Sequence, residues 1–146
     1  MSLLAVSASW TQEKPVYHGR FVSFENVRAC PQRSNIPVVV GGHSESAYRR
    51  AVQQGKGWYG WMLDPDAAAH ALAAIAEAFK RYERPQELGK LEISVTPPSG
   101  KITLDDAKRY AELGVDRLIL LPRRAFSETD LKEFVSQLGV AVVSRF

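Results

Sequence analysis

The stretch IPVVVGGHSESAYRRAVQQGKGWYGWMLDP, residues 36–65, decides the fold class. It opens with an apolar run at 36–40, reaches Gly41 and Gly42, and turns directly into a helical pattern from about 44 to 54. Ala47, Tyr48, Ala51 and Val52 recur there at the spacing of one buried helix face. Gly55 and Gly57 stop that helix. A second apolar run, 57–63, follows at once. Asp64 then offers an N-cap oxygen, and Pro65 suits the first helical position. A strand without polar alternation, a glycine turn, a helix and another strand read as part of a parallel sheet.

The same alternation continues downstream. The helix from 65 to about 83 carries an apolar stripe of Ala68, Leu72, Ile75, Phe79 and Tyr82, and eight alanines between Ala67 and Ala78 add intrinsic propensity. The third run, 91–96, ends in the turn Pro97-Pro98-Ser99-Gly100. Thr103 and Asp106 form a capping box for a helix with Leu104, Ala107, Tyr110, Ala111 and Leu113, and Gly114 ends it. The fourth run, 115–121, leads through Pro122 to a second capping box, Ser127 with Asp130. Leu131, Phe134, Val135 and Leu138 then carry the stripe to Gly139. Residues 36–138 therefore predict four consecutive βα units in an α/β fold. Upstream, 3–10 reads as the end of a helix and 16–27 as a hairpin bending near Gly19; downstream, 140–146 reads as a tail or an extra strand. The expected organisation is one domain over 1–146, divided as 1–35, 36–138 and 139–146.

Composition bounds the function. A chain of 146 residues with 45% hydrophobic and 24% charged residues is globular in character and of single-domain size. Nineteen basic residues against sixteen acidic ones leave +3, scattered rather than clustered, so no nucleic-acid partner is expected. No run approaches the roughly 18 apolar residues of a membrane span, and the opening MSLLAVSASW lacks the basic region of a signal peptide. The one cysteine, Cys30, rules out an intrachain disulfide and points to a reducing, cytoplasmic setting.

Parallel strands send their exit loops to one end of the sheet, where α/β proteins bind ligands. The candidates are Gly41, Gly42, His43 and Ser44; Trp61, Met62 and Asp64; Thr96 and Pro97; and Pro122, Arg123 and Arg124. The first group is the sharpest. Glycine lets backbone approach a ligand, and the helix that follows presents unpaired N–H groups and a positive dipole end to an anion such as phosphate. A tight turn with no ligand would use the same glycines, and the spacing is neither G-x-G-x-x-G nor a P-loop. Arg123-Arg124 and Arg49-Arg50 read as solvated pairs. His18, His70 and Cys30 have no neighbours at metal-ligand spacing, so no metal is expected. No G-x-S-x-G elbow occurs, and no catalytic residue is assigned.

Three segments together, WTQEKPVYHGRFVSFENVRACPQ (10–32), IPVVVGGHSESAYRRAVQQGKGW (36–58) and LGVDRLIL (113–120), resemble the luciferase-like flavin monooxygenase family. In that family a helix ending in Trp leads to an inserted hairpin, Y-x-G-x-x-x-x-F, then a P-x-x-x-G-G strand, a G-x-G-W strand and a GVD strand. The order matches over nearly the whole chain, although Lys56 stands where relatives commonly carry an acidic residue. The resemblance implies the second half of a (β/α) TIM barrel with the hairpin before its first strand. It also implies an oxidoreductase of FMN or deazaflavin (F420) with the flavin phosphate near Gly41, Gly42, His43 and Ser44.

Half of such a barrel lacks most of the flavin-ring pocket, so the chain alone is expected to have no monooxygenase turnover. The alternative is a non-catalytic half-barrel that dimerises or binds a partner half. An unrelated flavodoxin-like open sheet would explain the repeats but not the hairpin. A homodimer is expected, because four strands leave an open sheet face, filled by Val38, Val40, Trp58 and Leu118 or their alternates; the hairpin at 16–27 or the tail at 140–146 folding over that face would instead permit a monomer. Substrate, choice of flavin and whether Met1 is a natural start are not readable from these residues.

Overall fold

The computed structural model describes residues 3–28, 30, 36–98, 100, 102–122 and 127–145. They form two compact units, Met1–Pro37 and Val38–Phe146. In the first, helix α1 (Leu3–Thr11) precedes a short antiparallel hairpin of β1 (Tyr17–His18) and β2 (Ser23–Phe24), with Tyr17 opposite Phe24. The Gly19 N–H donates to the Val22 carbonyl at 2.9 Å to close the turn. A Cβ on Gly19 would lie 2.6 Å from the Tyr17 ring, so a larger residue there would make that ring move.

The second unit runs β3 (Val39–Gly41), α2 (Glu45–Gln54), β4 (Gly57–Trp61), α3 (Pro65–Arg81), β5 (Glu92–Thr96), α4 (Leu104–Glu112), β6 (Arg117–Leu118) and α5 (Glu128–Ala141). Single 3₁₀ turns occupy Gln86–Leu88 and Val143–Arg145. The four strands form one parallel sheet in the order β3-β4-β5-β6. Each strand lies beside its successor and the order never reverses, whereas a flavodoxin-like sheet turns back at a switch point. The mixed α/β unit is thus compatible with part of a βα barrel.

Register sorts the side chains onto two faces. Val40, Trp58 and Ile93 stand level, followed two residues on by Gly60, Val95 and Leu118; this set lies under the helices. Trp58 has no exposed surface and meets the Tyr48 ring of α2 at 5.9 Å. The opposite face carries Val39, Gly41, Gly57, Tyr59, Trp61, Glu92, Ser94, Thr96 and Arg117. Val40 and Trp58 are therefore core residues beneath helices, and it is their alternates that occupy the open side. That side is also more polar than expected: Arg117 pairs with Glu92 at 2.9 Å, and Tyr59 Oη lies 2.7 Å from Thr96 Oγ1.

Helix α2 buries Ala47, Tyr48, Ala51 and Val52, the four expected. Helix α3 departs from expectation. It buries Ala68, Ala71, Ile75 and Ala78, while Phe79 is 43% exposed. The alanine line allows a close approach that a Leu72–Phe79 line would prevent, so small side chains set the rotation of this helix. Strand pairing begins at Val39 rather than 36, beyond Pro37, which has no N–H to give. β6 is shorter than 115–121 because only β5 pairs with it. Gly139 does not stop α5, which continues to Ala141, and Val143–Arg145 is a 3₁₀ turn and not a strand.

Two side chains tie the unit together through carbonyl oxygens. Arg84 donates to the carbonyls of Ala51, Val52 and Gly55 at 2.9–3.1 Å and so closes the end of α2. Buried Tyr110 donates its hydroxyl to the Leu63 carbonyl at 2.7 Å. Burial, with smaller contributions from Asp64 and Asp106, pushes the Tyr110 phenol up to about 12. The neutral phenol is the form that the fold favours, so its contribution is complete below the ordinary tyrosine range and is lost as pH rises from 10 toward 12. Denaturant melts across that window should show a loss of about 2–3 kcal/mol beyond other alkaline effects. Tyr110→Phe should lack that component, and at neutral pH should cost about 1–3 kcal/mol by leaving the Leu63 carbonyl unpaired.

Candidate functional site

The exit loop of β3 is built by contacts from β4. Gly42 has φ +114, and a Cβ there would also sit 3.2 Å from that of Ala47. Its carbonyl accepts from Trp58 Nε1 at 2.9 Å, so the buried indole fixes the turn from below. His43 follows, with its ring 6.0 Å from that of Trp58, and its Nε2 accepts the Trp61 backbone N–H at 3.2 Å. An imidazole that accepts at Nε2 carries its proton on Nδ1, which leaves Nδ1–H as the donor His43 can offer. Ser44 is the N-cap of α2; its Oγ accepts from the Ala47 N–H at 3.3 Å and lies 3.0 Å from Ser46 Oγ.

Gly41, Gly42, His43 and Ser44 are all exposed, so this turn faces outward at the carboxyl end of the sheet. Ser44 takes the Ala47 amide and leaves the amides of Glu45 and Ser46 for an outside acceptor. The Glu45 carboxylate does not oppose an anion there without compensation, because Arg81 Nη1 pairs with it at 3.0 Å. At Gly41 the nearest atoms to an added Cβ are 3.9 Å away on Tyr59, so a methyl there would make only ordinary contact. The glycine turn, the free amides and the ring N–H together offer hydrogen-bond donors to an anion.

The remaining sequence candidates separate. Asp64 is spent as the N-cap of α3, its carboxylate taking the Ala67 N–H at 2.8 Å. Thr96 is 1% exposed; its carbonyl receives the Leu63 N–H and its hydroxyl meets Tyr59. Trp61 and Met62 stand about half exposed beside His43, whereas Arg123 and Arg124 lie outside the described residues. His18 pairs with Glu25 at 3.1 Å in the hairpin, and His70 is exposed on α3. Among the described residues no group of His, Cys, Asp and Glu is arranged to hold a metal.

Two features escape sequence reasoning. Met62 has φ +55, an uncommon conformation for a non-glycine residue. It is enforced on both sides, by the His43 bond to Trp61 and by the Thr96 and Tyr110 bonds to Leu63. The Tyr59–Thr96 hydroxyl pair is the second, because register alone brings those positions to one face.

The two glycines are expected to respond differently to substitution. Gly42→Val puts a β-branched side chain at positive φ and should cost about 1–3 kcal/mol of stability. Gly41→Ala adds a methyl in ordinary contact with Tyr59 and should leave the denaturation midpoint nearly unchanged. Chemical denaturation of both variants checks the pair. A stable Gly42→Val protein would mean that the turn is not held as described.

Residues 2–130 match the luciferase-like monooxygenase family. The uncharacterized protein Rv0940c of Mycobacterium tuberculosis is 33% identical over 108 residues, covering 71% of this chain and 35% of its own length. Uncharacterized protein Mb0965c of Mycobacterium bovis matches to the same extent. Uncharacterized protein Rv0953c of Mycobacterium tuberculosis is 32% identical over 143 residues, which is 94% of this chain and 47% of that protein. The chain thus spans between a third and a half of the length of these relatives. With the match running from the first helix into α5, the chain belongs to the luciferase-like monooxygenase family.

Proposed function

We propose that this chain is the phosphate-holding half of a luciferase-like flavin oxidoreductase, its four βα units corresponding to the second half of a (β/α) barrel. The observation that carries the reading is the Gly41-Gly42 turn, anchored by Trp58 Nε1 and opening onto the free amides at the start of α2. Members of the family commonly use flavin or F420 cofactors. In this reading the Glu45 and Ser46 amides and His43 Nδ1–H donate to phosphate oxygens, and Gly41 lets the backbone come close. Bound FMN or F420 supplies the redox chemistry, and the protein's part is to orient it and exclude water. Trp61 and Met62, exposed beside the turn, border the space next to that phosphate. A cytoplasmic location fits the lone cysteine. No helix among the described residues is long and apolar enough to cross a membrane.

The second reading is a non-catalytic half-barrel that assembles with itself. The open, unpartnered sheet face favours it, but it gives no account of the built turn at Gly42. Titration of the 146-residue chain with FMN, F420 and riboflavin decides between them. Phosphate recognition expects FMN or F420 to bind at least about tenfold more tightly than riboflavin, a difference of about 1.4 kcal/mol. Gly41→Ala should remove most of that advantage without unfolding the protein. Equal binding of FMN and riboflavin, or an unaffected Gly41→Ala variant, would reject the site. The isolated chain is further expected to give no flavin-dependent product from an aldehyde, alkane or sulfonate panel. Sustained turnover by the chain alone would contradict the half-barrel reading.

A further inference from the structure

One rung of the parallel sheet is supplied by a side chain. The Gly57 N–H of β4 donates to the Val38 carbonyl, and that pattern carried four residues on would give the Trp61 N–H the carbonyl of Gly42. At φ +114 Gly42 turns its carbonyl to Trp58 Nε1 instead. The Trp61 N–H then donates to His43 Nε2 at 3.2 Å. A carbonyl oxygen is always an acceptor, whereas a ring nitrogen accepts only when it carries no proton. This rung is therefore conditional on the tautomer of His43.

What the rung holds is strained. Met62 follows Trp61 at φ +55, in the left-handed region that a side chain disfavours. Such a conformation persists only where its surroundings fix it. After Met62 the fixing is unconditional: the Leu63 N–H donates to the Thr96 carbonyl at 3.1 Å, and the buried Tyr110 hydroxyl donates to the Leu63 carbonyl at 2.7 Å. Before Met62 the Trp61 N–H has the His43 ring as its acceptor. The placement of the Trp61 and Met62 side chains follows the state of that bond.

We propose that His43 is a positioning residue that couples an acceptor at its Nδ1–H to the conformation of the β4 exit loop. A neutral imidazole has one proton for two nitrogens, and the hydrogen bond made on one side decides where it sits. An oxygen anion that accepts from Nδ1–H selects the tautomer with a bare Nε2, which makes the Trp61 rung and holds Met62 left-handed. In the other tautomer the Nε2 proton faces the Trp61 N–H, the rung is lost, and Met62 relaxes toward an ordinary φ. The proposal rests on the phosphate reading of the same turn and adds that phosphate docking organises the neighbouring Trp61 and Met62 wall. The coupling is reciprocal, so a held loop also tightens the anion.

Nitrogen-15 NMR of the 146-residue chain tests this, by titration with inorganic phosphate against sodium chloride of equal ionic strength at constant pH. The Glu45 and Ser46 amides report occupancy of the turn, the His43 ring nitrogens report the tautomer, and hydrogen exchange at the Trp61 amide reports the rung. Phosphate should shift the first, drive the second to the Nδ1–H form and slow the third about fivefold. His43→Gln puts an amide oxygen near the Nε2 position and no donor at Nδ1, so Trp61 exchange should stay slow and ignore phosphate. His43→Asn keeps an amide near Nδ1 but is too short to reach Trp61, so exchange should be about tenfold faster with or without phosphate. Both variants lose the ring contact to Trp58, so a packing role alone would make them behave alike. Equal Trp61 exchange in the two variants would overturn the coupling. So would an Nε2–H tautomer in the phosphate-saturated protein, or an occupied turn with Trp61 exchange unchanged; these arms use the wild-type chain alone. Glu45 and Ser46 amides indifferent to phosphate would instead overturn the phosphate reading, and the coupling with it.

Discussion

The bond from Trp58 Nε1 to the Gly42 carbonyl joins a fully buried large side chain of the second unit to an exposed turn. Trp58 is level with Val40 on one side and Ile93 on the other, so its position follows from strand register. The indole reaches past the end of β3 to the carbonyl of the residue whose φ is +114. Tyr48, buried on α2, packs against the same ring. Core packing, helix placement and turn geometry therefore share one side chain.

β4 serves two faces by strict alternation. Trp58 and Gly60 point into the helical layer, where a Cβ at Gly60 would strike Leu63 and Trp58 at 2.6 Å. Tyr59 and Trp61 point the other way, their rings 6.3 Å apart. The glycine at 60 is a consequence of this crowding, and at 57, on the other face, a Cβ would press on the Glu92 carbonyl at 3.0 Å. The sheet face bearing Tyr59, Glu92, Ser94, Thr96 and Arg117 is polar, unlike the branched aliphatic face beneath the helices. Its polar groups are paired with one another, Arg117 with Glu92 and Tyr59 with Thr96.

Much of this was legible in the chain itself. The α2 stripe, both capping boxes, the hairpin and the succession of βα units follow from periodicity and cap chemistry, which are local. α3 shows where local reading stops. Its alanines raise helix propensity wherever they point, and only packing selects the Ala68–Ala71–Ile75–Ala78 line over one through Phe79. The residues around the Gly41-Gly42 turn were identifiable because glycines before a helix are a backbone signal. The way His43 uses Nε2, the left-handed Met62 and the Tyr59–Thr96 pair were not, since each depends on register between strands distant in sequence. The 140–146 segment misleads because Val140 and Val142 favour a strand only when a neighbouring strand exists to pair with them.

The strictly successive order of the sheet also governs how the chain acquires its structure. Val40 finds Trp58, Trp58 finds Ile93, and Val95 finds Leu118, each across a single intervening helix. Every strand added to the sheet closes a loop of a few dozen residues, so the entropic cost of pairing stays modest and nearly constant along the chain. A polypeptide emerging from the ribosome amino end first can therefore lay down its sheet one unit at a time, each new strand templated by the one already in place.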